Sequence, residues 1–273
     1  MAKTRTGIYV YCLIASARRP ALARRPAGLP GMGPVRLLDM GDPGDVKTLR
    51  PGGLRKWLAV ADAPLGRYGE ETINRRLSDL DWVSRAAVAH EAVVEALIDA
   101  AAVLPMKLFT IFTNDDRALK HLRGEQGRID AVLKRVANHR EWGVRVVLDR
   151  ARATVGKQAV AKPATRGGQS GIGYLARKKA QRDAAAELAG RASDTVAELY
   201  DLLAGQASLS KRRAAGELPV PGGPLLLDAA FLVPASRSAR FRSLAAREAR
   251  MLDREGYRVT LSGPWPAYSF VQD

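Results

Sequence analysis

Cysteine is all but missing from this chain: Cys12 is the single thiol in 273 residues. An intrachain disulfide and a thiolate metal cluster are thereby excluded, and the composition suits a reducing, cytoplasmic setting. Histidine is nearly as scarce. His90, His121 and His139 fall on different expected elements, so the sequence offers no imidazole cluster for a metal. Aromatics make up only 6% of residues, which leaves Leu, Val, Ala and Ile to build most of the core. No apolar run approaches the roughly 20 residues needed to cross a bilayer, and neither a repeat nor a sustained heptad is present.

What the chain has instead is positive charge. It carries 44 Lys+Arg against 28 Asp+Glu, a formal +16 and a pI near 10.4. Such a balance attracts acidic partners: nucleic acid, an anionic membrane or an acidic protein surface. The charge is uneven. Residues 1–60 hold 11 Lys+Arg against 3 Asp+Glu, a surplus of +8, and residues 150–217 hold 13 against 6, a surplus of +7. The stretch 61–149 is balanced at 13 against 14. With 47% hydrophobic and 26% charged residues, the composition is that of a globular protein whose basic stretches read first as solvated faces.

The length allows one large domain or two ordinary ones. Lys3 and Arg5, the apolar Ile8 to Ile14 and then Ala15-Ser16-Ala17 imitate a secretory signal. The apolar stretch is short for that role, and Ile8-Tyr9-Val10-Tyr11 is β-branched and aromatic, which favours a buried strand. Further strands are expected at 35–40, 54–61, 103–113, 142–148, 211–218 and 225–233, with a last one beginning at Tyr257. Helices are expected over 70–80 (Ile73, Leu77 and Leu80 on one face), 83–101, 115–123 capped by Asn114, 127–138, and 172–204 capped by Ser170. A final helix opens at Ser236 and stops at Gly256. The Pro/Arg-rich stretch 18–34 and the polar 151–170 read as loops. From Trp142 onward the order is β-α-β-β-α-β, that of a ferredoxin-like domain. The expected architecture is α+β with an N-terminal domain over 1–113, connecting helices over 114–140 and a ferredoxin-like domain over 141–273.

Catalytic motifs fail on inspection. His90-Glu91 begins like a zincin, but Val94 stands where the second imidazole must be. Gly168 to Gly173 has the outer glycines of a phosphate loop, but Tyr174 replaces its lysine. There is no G-x-S-x-G elbow. Glu70-Glu71 and Asp115-Asp116 sit at helix starts, where the helix dipole accounts for them. No catalytic, cofactor-binding or metal residue is expected, and no enzyme. A basic ferredoxin-like sheet could stack bases, but neither 142–148 nor 225–233 carries interleaved Gly and aromatics, and Phe231 alone does not suffice. Nucleic-acid binding stays as the alternative.

Six segments, in order, resemble the GvpL/GvpF gas vesicle proteins: Gly7-Ile8-Tyr9-Val10-Tyr11-Cys12; Ala89-His90-Glu91 with Val103 to Phe112; Glu141-Trp142-Gly143-Val144-Arg145-Val146; Gly173-Tyr174-Leu175-Ala176-Arg177-Lys178; Asp228-Ala229-Ala230-Phe231-Leu232-Val233; and Gly263-Pro264-Trp265-Pro266-Ala267-Tyr268-Ser269-Phe270-Val271. The resemblance implies two domains, the first a modified ferredoxin-like one. It also implies an accessory role in gas vesicle formation, in the cytoplasm and at the vesicle, with contacts to the major shell protein GvpA and to other accessory proteins. A minor structural component of the shell is the other role it allows. Trp265 and Tyr268 are the candidate partner contacts, since aromatics are enriched at interface hot spots; the competing reading packs Trp265 in a core.

Duplex DNA binding at low salt is expected to ignore sequence and to fall steeply as salt rises, because released counterions drive it. Fluorescence anisotropy with two unrelated duplexes at about 50 and about 200 mM salt checks this. Sequence-selective binding at the higher salt would favour the nucleic-acid alternative.

Overall fold

The apolar run near the start becomes a strand buried on both faces. In β1 (Thr6–Ser16) every residue from Gly7 to Ala15 is buried. A half-wet strand would alternate; an unbroken apolar run is what a strand covered above and below requires. The computed structural model describes residues 5–22, 26–41, 54–149, 171–213 and 223–271. In it β1 pairs antiparallel with β3 (Arg55–Pro64) on one side, and with β4 (Ala102–Pro105) and the short β5 (Ile111–Phe112) on the other. β2 (Arg36–Asp39) lies outside β3, giving the order β2-β3-β1-β4. A bulge shifts the β1 register between Val10 and Cys12, so Tyr9, Tyr11, Cys12 and Ile14 all enter one cluster.

Three helices follow β3: α1 (Leu65–Tyr68), α2 (Glu70–Arg76) and α3 (Leu80–Glu95). Asp79 starts α3 by accepting the Trp82 N–H at 3.0 Å, so the helix begins three residues before its expected start and ends at Glu95. The chain turns between α2 and α3 and the helical period restarts. For that reason Leu77 and Leu80 are exposed, while Ile73 alone of the expected trio packs on the core. Trp82, Ala86, Val93 and Val94 line the face of α3 that meets β1.

On the other side of the sheet lie α4 (Asp115–Gly124) and α5 (Gln126–Val136), packed on β1 and β4. Asn114 caps α4 by accepting the Arg117 N–H at 2.9 Å. Buried Leu122, Ile129, Val132 and Val136 face inward. Ion pairs join this layer to the sheet: Arg36 of β2 to Asp115 at 2.8 Å, and Lys56 of β3 to Asp130. These two helices link the units in sequence and also complete the burial of β1.

The expected strand over 103–113 is two pieces. Between β4 and β5 the chain bulges through 106–110, where Phe109 takes φ +65°. Both pieces still bond β1, which tolerates the interruption because its own bulge lies opposite: Met106 N–H donates to the Tyr11 carbonyl and Val10 N–H to that of Thr110, each at 2.9 Å.

The chain divides into two compact units, residues 1–140 with 265–273 and residues 141–264. The second unit stops at Pro264, whereas the expected second domain runs to Asp273. Its elements are β6 (His139–Leu148), α6 (Gly171–Ala204), β7 (Leu209–Arg212), β8 (Leu225–Pro234), α7 (Ser238–Asp253) and β9 (Tyr257–Trp265). The expected cap Ser170 and the loop before it lie outside the described residues, as does the end of the strand expected over 211–218. The sheet order β7-β8-β6-β9 places the second, third, first and fourth strands side by side, the ferredoxin-like arrangement. The first sheet has the same order, with no helix among the described residues between its first two strands. Alternate residues of β6 (Trp142, Val144, Val146) and β8 (Leu227, Ala229, Phe231) meet Val196 and Leu199 of α6 and Phe241 of α7. After α7 the chain turns into β9 through Gly256 at φ +89°.

Polar atoms enter the first core on tyrosines, and each ties down a loop. Tyr9 Oη accepts the Phe109 N–H at 3.3 Å and donates to His90 Nδ1 at 2.7 Å. Tyr11 Oη accepts the Leu29 N–H at 3.1 Å, and Tyr68 Oη donates to the Pro30 carbonyl at 2.8 Å. Gly28, at φ +67°, has no room for a side chain because a Cβ would meet the Tyr11 hydroxyl. Replacing Tyr9→Phe strands a buried acceptor on His90 and a buried donor on Phe109. A loss of about 1–3 kcal/mol is expected, read as a lower midpoint in urea than the parent protein.

Candidate functional site

Three of the six quoted segments come together in the first unit. Tyr9 and Tyr11 come from the first, His90 and Phe109 from the second, and Tyr268 from the last; all join or pack against one buried cluster. Phe109 is held in its left-handed conformation, costly for a bulky residue, by its bond to Tyr9 and by stacking on Trp82 at 4.9 Å and 8°. Trp82 in turn stacks on Tyr68 and lies under the Arg76 guanidinium, 4.6 Å from the ring centre. The segment 106–110 is therefore a fixed ridge rather than a free loop.

The two sequence-nominated contact residues have different surroundings. β9 ends at Trp265, and a 3-10 turn follows at Tyr268–Phe270. Ala267, Phe270 and Val271 are buried. Tyr268 is partly buried against the first cluster, and its N–H donates to the Pro266 carbonyl at 2.7 Å. Trp265 is partly buried at the end of β9.

The titratable groups are dispersed. His90 is buried, 5.6 Å from the Tyr11 ring. Burial pushes its pKa down to about 4, against a smaller opposing contribution from a hydrogen bond with the Met106 backbone. It is a neutral ring with Nδ1 as acceptor. Burial pushes the Cys12 thiol up, out of the reactive range. His121 lies against Phe112, centroids 5.3 Å apart, and His139 Nδ1 is 2.7 Å from the Ala137 carbonyl oxygen. Asp115 is engaged by Arg36, which also reaches Asp62 at 3.1 Å. Among the described residues no three His, Cys, Asp or Glu side chains gather as a metal site. Gly168 to Ser170 fall outside the described residues, and Gly171 opens α6.

Accessible side chains form surfaces instead. Leu80 and Val88, 78% and 64% exposed, stand two helical turns apart on α3. A basic set stands on α6. Neither surface is among the expected partner contacts, and Leu80 was expected on a core-facing stripe, although the spacing of Leu175, Lys178, Lys179 and Arg182 (i, i+3, i+4, i+7) is a signal in the sequence. No described helix is long and apolar enough to cross a membrane.

Two ferredoxin-like sheets, a fixed ridge and accessible helix faces define a two-domain α+β scaffold that presents surfaces. Residues 7–272 match the family described as gas vesicle synthesis protein GvpL/GvpF, and the chain belongs to that family. It is similar to Gas vesicle protein L of Streptomyces sp. (strain CB03234), 32% identical over 269 residues that cover 96% of this chain and 92% of that protein. Its fold is similar to the crystal structure of GvpF from Anabaena sp. PCC7120, with TM-score 0.65 and 16% identity over 98% of this chain and 97% of that one. GvpF from Microcystis aeruginosa matches with TM-score 0.62 and 12% identity over 98% and 99%. At such identities these two likenesses speak for the fold.

The His90 ring ties stability to acid. Its folded pKa lies below the ordinary 6.5, so its contribution is complete above pH 6.5 and is lost as pH falls toward 4, to a limit of about 3 kcal/mol. Urea midpoints of the parent protein are expected to fall more between pH 7 and about pH 4.5 than those of His90→Gln, which has no imidazole to protonate. Equal slopes for the two would remove His90 from the acid transition.

Proposed function

We propose that this chain is a non-enzymatic assembly factor that binds the major shell protein GvpA and supports gas vesicle formation in the cytoplasm, at the growing vesicle. The observation that carries this reading is the family match across residues 7–272, supported by the relative named Gas vesicle protein L.

The physical case starts from the shell. A wall that faces gas must turn apolar surface inward, so its subunit is prone to aggregate before it is built in. A charged companion that covers this surface delays collapse and hands the subunit on. This chain has the required contrast: a net +16 together with apolar side chains left in solvent, Leu80 and Val88 among them. Trp265 is the contact residue we favour, since its side chain is only partly buried where β9 ends. Tyr268 contributes by fixing the segment that carries it.

Deleting the gene is expected to reduce or abolish vesicles, counted by electron microscopy, while GvpA remains detectable by immunoblot, because an assembly factor acts after synthesis. The protein should co-purify with GvpA. Trp265→Ala is expected to keep the fold, at a cost below about 2 kcal/mol for a half-buried ring, and to weaken GvpA capture tenfold or more. Normal vesicles in a deletion strain without a paralogue would overturn the assembly reading. Retention in washed vesicles at a fixed ratio to GvpA would favour a shell component instead.

A further inference from the structure

The longest helix outruns the domain it belongs to. α6 has 34 residues, about 51 Å at the helical rise, whereas the ten-residue strand β8 beneath it spans about 34 Å. Its buried positions, Ala192, Val196, Leu199 and Leu203, lie in one half. Every side chain from Tyr174 to Glu187 is exposed. Tracing the core stripe back from Ala192 reaches Leu188, Ala185, Gln181 and Lys178, so the apolar pattern gives out where packing does. The outer half stays helical through composition, with Ala, Leu, Arg, Lys, Gln or Glu at twelve of fourteen positions from 174 to 187. It also grows from a docked half, which removes the nucleation cost.

Leu175, Lys178, Lys179 and Arg182 share one helix face, with three of the four cations of this outer half on it. Asp183, four residues after Lys179, borders that face, and Glu187 beyond it is engaged by Arg191 at 3.1 Å. The three cations make one positive patch that an approaching carboxylate relieves. Tyr174 and Leu175, 59% and 64% exposed, set apolar surface at the head of the same stretch.

We propose that the outer half of α6 is a docking arm for an acidic segment of another protein. That segment is an amphipathic stretch placing an apolar side chain on Leu175 and carboxylates on Lys178, Lys179 and Arg182. A protein suits the arm better than nucleic acid does. A duplex presents about one phosphate charge per 1.7 Å and no apolar edge for Leu175. The proposal goes beyond the assembly reading and does not depend on it.

The test places a photoreactive benzoylphenylalanine at position 175 of the full chain in vesicle-forming cells and identifies crosslinked peptides by mass spectrometry. The expected product is a segment of another protein rich in Asp and Glu. The triple variant K178E/K179E/R182E should lower its yield at least tenfold without moving the thermal midpoint, because these side chains touch no core. K178Q/K179Q/R182Q guards against a folding effect of reversed charge and should also lower the yield. Changing the partner's acids to lysine should restore the product with the reversed arm. Crosslinks confined to nucleic acid, to a second copy of this chain or to uncharged or basic segments would overturn the proposal. So would the absence of any crosslink, or an unchanged yield in both triple variants. Vesicle counts in the deletion strain are read separately: normal counts would sink the assembly reading and leave an arm crosslink standing.

Discussion

A phenol, an imidazole and a backbone amide share one chain of hydrogen bonds, and the first unit is arranged around it. Phe109 N–H donates to Tyr9, Tyr9 donates to His90, and the other side of the His90 ring bonds the Met106 backbone. The Tyr9–His90 bond at its centre is buried, so each of these two groups must keep its partner or forfeit a desolvation cost. The consequence is geometric. Strand β1, helix α3 and the ridge 106–110 are held to one another at fixed distance, and Phe109 is kept in a conformation it would otherwise leave. His90 stays neutral because a charged ring would have no counter-ion in this core.

The same economy runs through Tyr11 and Tyr68, whose hydroxyls anchor residues 28–30. In the second sheet a helix crosses between the first two strands; in the first sheet a Pro- and Arg-rich connection makes that crossing. A helix satisfies its own backbone groups, whereas this connection lacks helical bonds among the described residues, and tyrosine hydroxyls supply partners for two of its backbone groups. The two units thus reach one strand order by different means.

A scaffold braced in this way can leave other elements uncommitted. Burial in α6 ends near Ala192, so its outer half carries exposed charge without loss of core. Leu80 and Val88 are exposed on a helix already anchored by its opposite face. On the proposed reading, the rigid interior serves to hold such surfaces in place for protein partners, and its chemistry is one of contact.

Much of the fold was legible in the chain. Alternation in β6, the apolar run of β8 and the stripe on α6 follow from residues facing fixed environments, so they specify strands, helices and the ferredoxin-like element order of the second unit. The apolar run in β1 already signalled a buried strand. What covered it was not legible, because α4 and α5 read locally as connectors and only packing against β1 and β4 gave them a layer. Nor could periodicity reveal the break at 106–110, since it depends on a hydrogen bond from a tyrosine 100 residues away. His90 looked like a failed metal ligand; tertiary structure alone paired it with Tyr9. Local pattern records which face of an element is dry. Which other element dries it, and which polar atoms must meet there, is decided only when distant segments pack.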